Sequence, residues 1–111
     1  MIKECKNQKD FDTIVKISQK TPVFLIKHST ACPISARAME NFKTFAANNR
    51  NAEFYRVLVI EDRPLSMGIA ESTGVTHKSP QIILFKGGHA VWNESHNAIT
   101  RERLYQELNS L

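Results

Sequence analysis

With 111 residues, 41% of them hydrophobic and 23% charged, the chain has the make-up of one soluble globular domain over residues 1–111, long enough to build its own core and not a disordered tail. The net charge is +4, but the basic residues are dispersed from Lys3 to Arg103 with acids between them, so no nucleic-acid stripe is expected. No apolar run approaches the roughly 18 residues of a membrane span, and Met1-Ile2-Lys3-Glu4-Cys5-Lys6 lacks the apolar core of a signal peptide, which predicts a cytoplasmic location without membrane partners.

Taken in order, Ile2 to Glu4 reads as a short edge strand. Asn7 then caps a helix, with Asp10 three residues later and an apolar face of Phe11, Ile14, Val15 and Ser18, that ends near Thr21-Pro22. Val23-Phe24-Leu25-Ile26 is apolar on both faces, the mark of a strand buried centrally in a sheet. From Pro33, the positions Ile34, Ala38, Met39, Phe42, Phe45 and Ala46 recur at helical spacing and stop at the polar cluster Asn48-Asn49-Arg50-Asn51. Phe54 to Ile60 is a second two-faced strand. Asp62-Arg63-Pro64 opens a short helix through Leu65 and Ile69 that closes at Gly74. Gln81 to Phe85 is a third strand, Gly87-Gly88 a tight turn, and Ala90-Val91-Trp92 the returning strand. Thr100 caps a last helix with Glu102 in its first turn and Leu104, Leu108 and Leu111 on one face. This order predicts an α/β fold: a mixed sheet of about four to five strands with helices on both faces.

The chain holds two cysteines, Cys5 and Cys32. Two thiols make no disulfide framework, and no His, Cys, Asp and Glu spacing suggests a metal. Cys5, among Lys3, Glu4 and Lys6, is expected at a chain end near solvent with no assigned role, a resolving thiol being the alternative. Cys32 is different because it falls between the strand ending at Ile26 and the helix starting at Pro33. Proline suits the first helical position, since its missing N–H would be unpaired there. Cys32 is then the N-cap, and the free amides of Ile34 and Ser35 together with the positive end of the helix dipole favour a thiolate. Cys32 is expected to be a nucleophile, with Pro33, Ile34 and Ser35 stabilising its charge.

A cysteine capping the first helix of a βαβ half, Val75-Thr76-His77-Lys78-Ser79-Pro80 leading into Gln81-Ile82-Ile83-Leu84-Phe85, a Gly-Gly hairpin and a terminal helix together resemble the thioredoxin fold over nearly the whole chain. More narrowly, Lys27-His28-Ser29-Thr30-Ala31-Cys32-Pro33-Ile34-Ser35 resembles the monothiol bacilliredoxins, whose signature is Thr-Cys-Pro-Ile-Ser; Ala31 stands here where threonine is usual. The resemblance implies a cis peptide bond before Pro80, with Pro80 packed beside Cys32. It also implies a monothiol exchange that resolves mixed disulfides between client proteins and the small thiol bacillithiol, a co-substrate rather than a bound cofactor.

Ser35 stands where thioredoxins carry their second cysteine and cannot resolve a disulfide, but it could donate a hydrogen bond to the Cys32 thiolate. Around that centre, Thr30 and Ser79 with Pro80 are the expected ligand contacts, and Lys27, His28, Lys78 and His77 are candidates to meet the carboxylates of an anionic thiol. His89 and His96 have no assigned role. A monomer is expected. Two other classes compete with this reading. A peroxidase of the peroxiredoxin kind would need a Pro-x-x-x-Thr-x-x-Cys pattern that Thr30 and Cys32 do not form. A non-catalytic binding or adaptor protein, or a redox sensor, would keep its partners when Cys32 is replaced by serine.

Overall fold

Alternation along one central strand decides which side chain goes to which face of the sheet. The computed structural model describes residues 1–111. In order it contains β1 (Ile2–Glu4), α1 (Gln8–Ile17), β2 (Val23–His28), α2 (Pro33–Ala47), β3 (Glu53–Leu58), α3 (Arg63–Thr73), β4 (Gln81–Lys86), β5 (His89–Ser95), a 3-10 turn at His96–Ala98 and α4 (Arg101–Asn109). The strands form one sheet in the order β1-β3-β2-β4-β5. β1 and β2 run parallel to β3, while β4 is antiparallel to both β2 and β5. This is the mixed α/β sheet that the patterning predicts.

All six residues of β2 are buried, because helices cover both faces of the sheet. Phe24 and Ile26 point to one side, where Phe54, Ile82 and Leu84 meet Ala38, Met39 and Phe42 of α2 and Leu104 and Leu108 of α4. Val23 and Leu25 point to the other, against Phe11 and Ile14 of α1 and Ile69 of α3. An aromatic group fixes α2 on the sheet. Phe24 and Phe54 stack at 5.9 Å, and Phe45 meets both of them edge-on at 5.3 and 5.8 Å. Each such pair contributes about 0.5–1.5 kcal/mol beyond its buried area, and holding α2 holds the residue at its N-terminus.

Local signals behave as expected at several ends. Asn7 accepts the amide of Asp10, Thr100 accepts that of Arg103, and Gly74 ends α3 with φ of 75°. Other expectations are corrected. β2 runs on through Lys27 and His28, β3 stops at Leu58 rather than Ile60, and β5 extends to Ser95. Ile34 is 40% exposed and Leu111 lies beyond α4 at 52%, so neither belongs to its helix's buried face. Cys5 is not near solvent. It is 1% exposed, because its amide pairs with the Arg56 carbonyl beyond β1 and its side chain joins the α1 and α3 face.

Candidate active site

The C-terminal end of β2 delivers the chain to Cys32, and α2 begins at once with Pro33. Cys32 is the N-cap, with the extended φ of −119° and ψ of 123° usual for that position, and its thiol is half-buried. The sulfur accepts no capping hydrogen bond, in contrast to the expected approach of the Ile34 and Ser35 amides. A thiol sulfur is a weak acceptor, and Cys32 holds the N-cap position through its backbone alone.

Ser35 also departs from its expected role. It is fully buried, and its Oγ accepts the amide N–H of Ser29 at 2.9 Å rather than bonding Cys32. Since Ser29 follows β2 directly, this bond closes the loop Ser29 to Cys32 against the first turn of α2. Ser29 Oγ in turn sits 3.4 Å from the Ala31 amide that donates to it. Thr30, Pro33 and Ile34 are exposed around the half-buried sulfur. Cys32 therefore stands on an accessible rim with a braced loop beneath it.

The segment before β4 carries the proline that the family resemblance implies beside Cys32. The Ser79-Pro80 bond is cis, Pro80 is buried, and the Pro80 carbonyl accepts the His96 amide at 3.0 Å. Ser79 is half-buried and its Oγ has no hydrogen-bond partner, while Lys78 is exposed.

Two of the four cationic candidates are not at the surface. Extending β2 by two residues places Lys27 and His28 inside the sandwich, at 0% and 8% exposure. By alternation Lys27 follows Leu25 onto the α3 face and His28 follows Ile26 onto the α2 face. Neither can meet an external carboxylate as folded. Lys27 Nζ donates to the Ser66 carbonyl of α3 at 3.0 Å and lies 3.0 Å from His77 Nδ1. Burial pushes the Lys27 ammonium down to about 8. His77 is thus turned inward. Its burial, with the charges of Lys27 and Arg63, holds the imidazolium below the usual histidine range. Burial likewise lowers His28, helped by Arg56 and Lys43. The reading of loop cations left out this internal pair; the signal available was a lysine continuing the period-two register of an otherwise apolar strand.

Cys5 is the remaining thiol. Burial first, then the charges of Asp10 and Asp62, push it up to about 12, so the folded protein presents one accessible sulfur and not two. No group of three or more His, Cys, Asp or Glu side chains stands close enough to hold a metal together. A surface hollow of about 380 Å³, lined in part by Met1, Lys3, Arg50 and Glu53, sits at the N-terminal end of β3. That is the opposite end of the parallel strands from Cys32.

A mixed five-stranded sheet, a cysteine capping the helix after its central strand and a cis-proline entering the next strand define a thioredoxin-fold thiol redox protein. A solved structure of a proposed oxidoreductase with a thioredoxin fold is 35% identical to the chain, covering 95% of it and 91% of that protein with a TM-score of 0.85. Residues 3–104 match the monothiol bacilliredoxin BrxC family, and the chain belongs to that family. More distant similarity runs to thioredoxins proper. The Malassezia sympodialis thioredoxin is 16% identical with a TM-score of 0.77, covering 99% of this chain and 90% of that one. A mutant thioredoxin from Halobacterium salinarum is 19% identical with a TM-score of 0.79, covering 98% of this chain and 88% of that one. At these identities the likeness speaks for the fold alone.

Proposed function

We propose that the protein removes a low-molecular-weight thiol from mixed disulfides on client proteins by a monothiol mechanism, with Cys32 as attacking and carrying sulfur. The observation that carries this reading is one accessible thiol at a helix N-cap with Ser35 three residues on and Cys5 sealed in the core. Two cysteines close together would favour protein disulfide reduction; a single exposed one favours exchange with a small thiol.

The thiolate of Cys32 attacks the small-thiol sulfur of the mixed disulfide. A new disulfide forms between Cys32 and the small thiol, the old one breaks, and the client leaves as its thiolate. A second small thiolate then attacks the adduct, releasing Cys32 and a symmetrical small-molecule disulfide. One disulfide is consumed and one formed in each step, so oxidation passes from client to small thiol without an internal oxidant. Family membership favours bacillithiol as that thiol. In this reading, supported by the family's pattern, Thr30, Lys78, Ser79 and Pro80 meet the incoming disulfide, Lys78 by charge and Ser79 through its backbone, as a strand edge would receive an extended ligand.

The test is a client protein loaded with bacillithiol, and separately with glutathione, incubated with the wild-type chain and followed by intact mass. Wild type and Cys5→Ser should strip the bacillithiol client and show a transient adduct on Cys32, whereas Cys32→Ser should leave it loaded. A wild-type chain that leaves both clients loaded overturns the proposal. Preference for the glutathione client would overturn the choice of thiol.

A further inference from the structure

Lys27 is a long charged side chain with no exposure, in the central strand and with no carboxylate beside it. Its amine reaches out of the apolar layer to two groups. One is the Ser66 carbonyl on α3; the other is His77, which lies three residues before Pro80. Directly across β2 and β4, Gln81 is the register partner of Lys27, and its Nε2 donates to the Thr76 carbonyl at 2.9 Å. Two neighbouring residues of the segment that leads to Pro80 are thus tied to two neighbouring positions of the sheet, Thr76 to Gln81 and His77 to Lys27.

The bond at 3.0 Å joins two bases. It exists only if one nitrogen offers a proton and the other a lone pair, so the pair carries at most one positive charge while it is closed. The charges acting on His77 are Lys27 from β2 and Arg63 from α3, both positive. A proton on Nδ1 would remove the acceptor and set two cations in contact in a part-buried place, and the link would open.

We propose that Lys27 and His77 form a latch that positions the Thr76 to Pro80 segment for disulfide exchange at Cys32, and that protonation of His77 releases it. Both are positioning residues, acting through the backbone of Ser79, and the inference rests on the exchange reading given above. Acidification then weakens docking of an extended mixed disulfide while leaving the bare reactivity of Cys32 alone.

The experiment divides two rates at each pH: exchange of Cys32 with a short peptide carrying a glutathione mixed disulfide, and alkylation of Cys32 by iodoacetamide. Both consume the same thiolate, so the ratio reports docking and not ionisation. In wild type the ratio should fall roughly tenfold as His77 protonates, with a midpoint below the ordinary histidine range. His77→Leu should have the low ratio at every pH. His77→Asn, whose Oδ1 can accept from Lys27 and does not titrate, should rescue the neutral value and abolish the acid limb. An unchanged acid limb in His77→Asn, or a normal neutral ratio in His77→Leu, overturns the latch. If wild type exchanges with no mixed disulfide at all, the proposed function fails and the latch is judged by NMR. The amides of Ser79 and Gln81 should then titrate in wild type and not in His77→Asn, and their failure to do so overturns the latch by itself.

Discussion

The amide of Ser29 donates to the hydroxyl of Ser35 at 2.9 Å, bracing the turn that carries Cys32 against the helix it caps. Replacing Ser35 with alanine leaves that amide without a partner in a half-buried turn, at a cost of about 1–2 kcal/mol. Urea unfolding should show the loss as a lower midpoint at unchanged slope. Ser35→Cys puts a second thiol at the spacing thioredoxins use. On treatment with diamide it should form an internal disulfide with Cys32, read as a mass two hydrogens lighter and two fewer titratable thiols. A variant that keeps both thiols free would show that the turn holds the two positions apart.

Burial of Cys5 makes a kinetic prediction. Iodoacetamide at neutral pH should label Cys32 alone in the folded protein, because Cys5 is 1% exposed and held as a thiol up to about 12. Cys5 should become reactive only in denaturant. Peptide mass mapping of a native time course checks this, and early label on Cys5 would contradict its placement under α1.

Lys27 should be visible in the pH dependence of stability. Below about pH 8 the ammonium is present folded and unfolded alike, and the cost of burying it is carried in full. Between about 8 and 10.5 the folded amine is neutral while the unfolded chain still binds the proton, so stability rises with pH, by up to about 3 kcal/mol. Cys5 opposes this from 9.0 upward, since the unfolded thiol loses its proton before the folded one does at about 12. Urea titrations in a Cys5→Ala background should therefore show the rise cleanly. Lys27→Met in that background should remove the rise and gain about 1–2 kcal/mol near neutral pH.

The cap of α4 serves as a control remote from Cys32. Thr100 Oγ1 accepts the Arg103 amide at 3.2 Å, and Thr100→Ala should lower stability by about 1 kcal/mol without altering the rate at which Cys32 is alkylated. A change in that rate would mean α4 is coupled to the site through α2.

Much of the fold is legible in the chain because its signals are local. Pro33 after Cys32, Asn7 and Thr100 as caps, Gly74 at the end of α3 and the two-faced apolar run from Val23 each act within a few residues, through backbone sterics, unpaired amides or alternation. The same locality places Cys32 at a strand-to-helix junction and leaves Ser35 in the first turn after it. The cis bond before Pro80 had no such signal and came from the family's pattern. Tertiary structure decided the partners: Ser35 with Ser29, Cys5 under α1, and Lys27 with His77, fifty positions apart in sequence. A lysine next to a histidine in sequence looks like a pair of surface cations. Only the sheet, by burying Lys27 on one face and His28 on the other, turns the first into a buried donor for the segment that leads into Pro80.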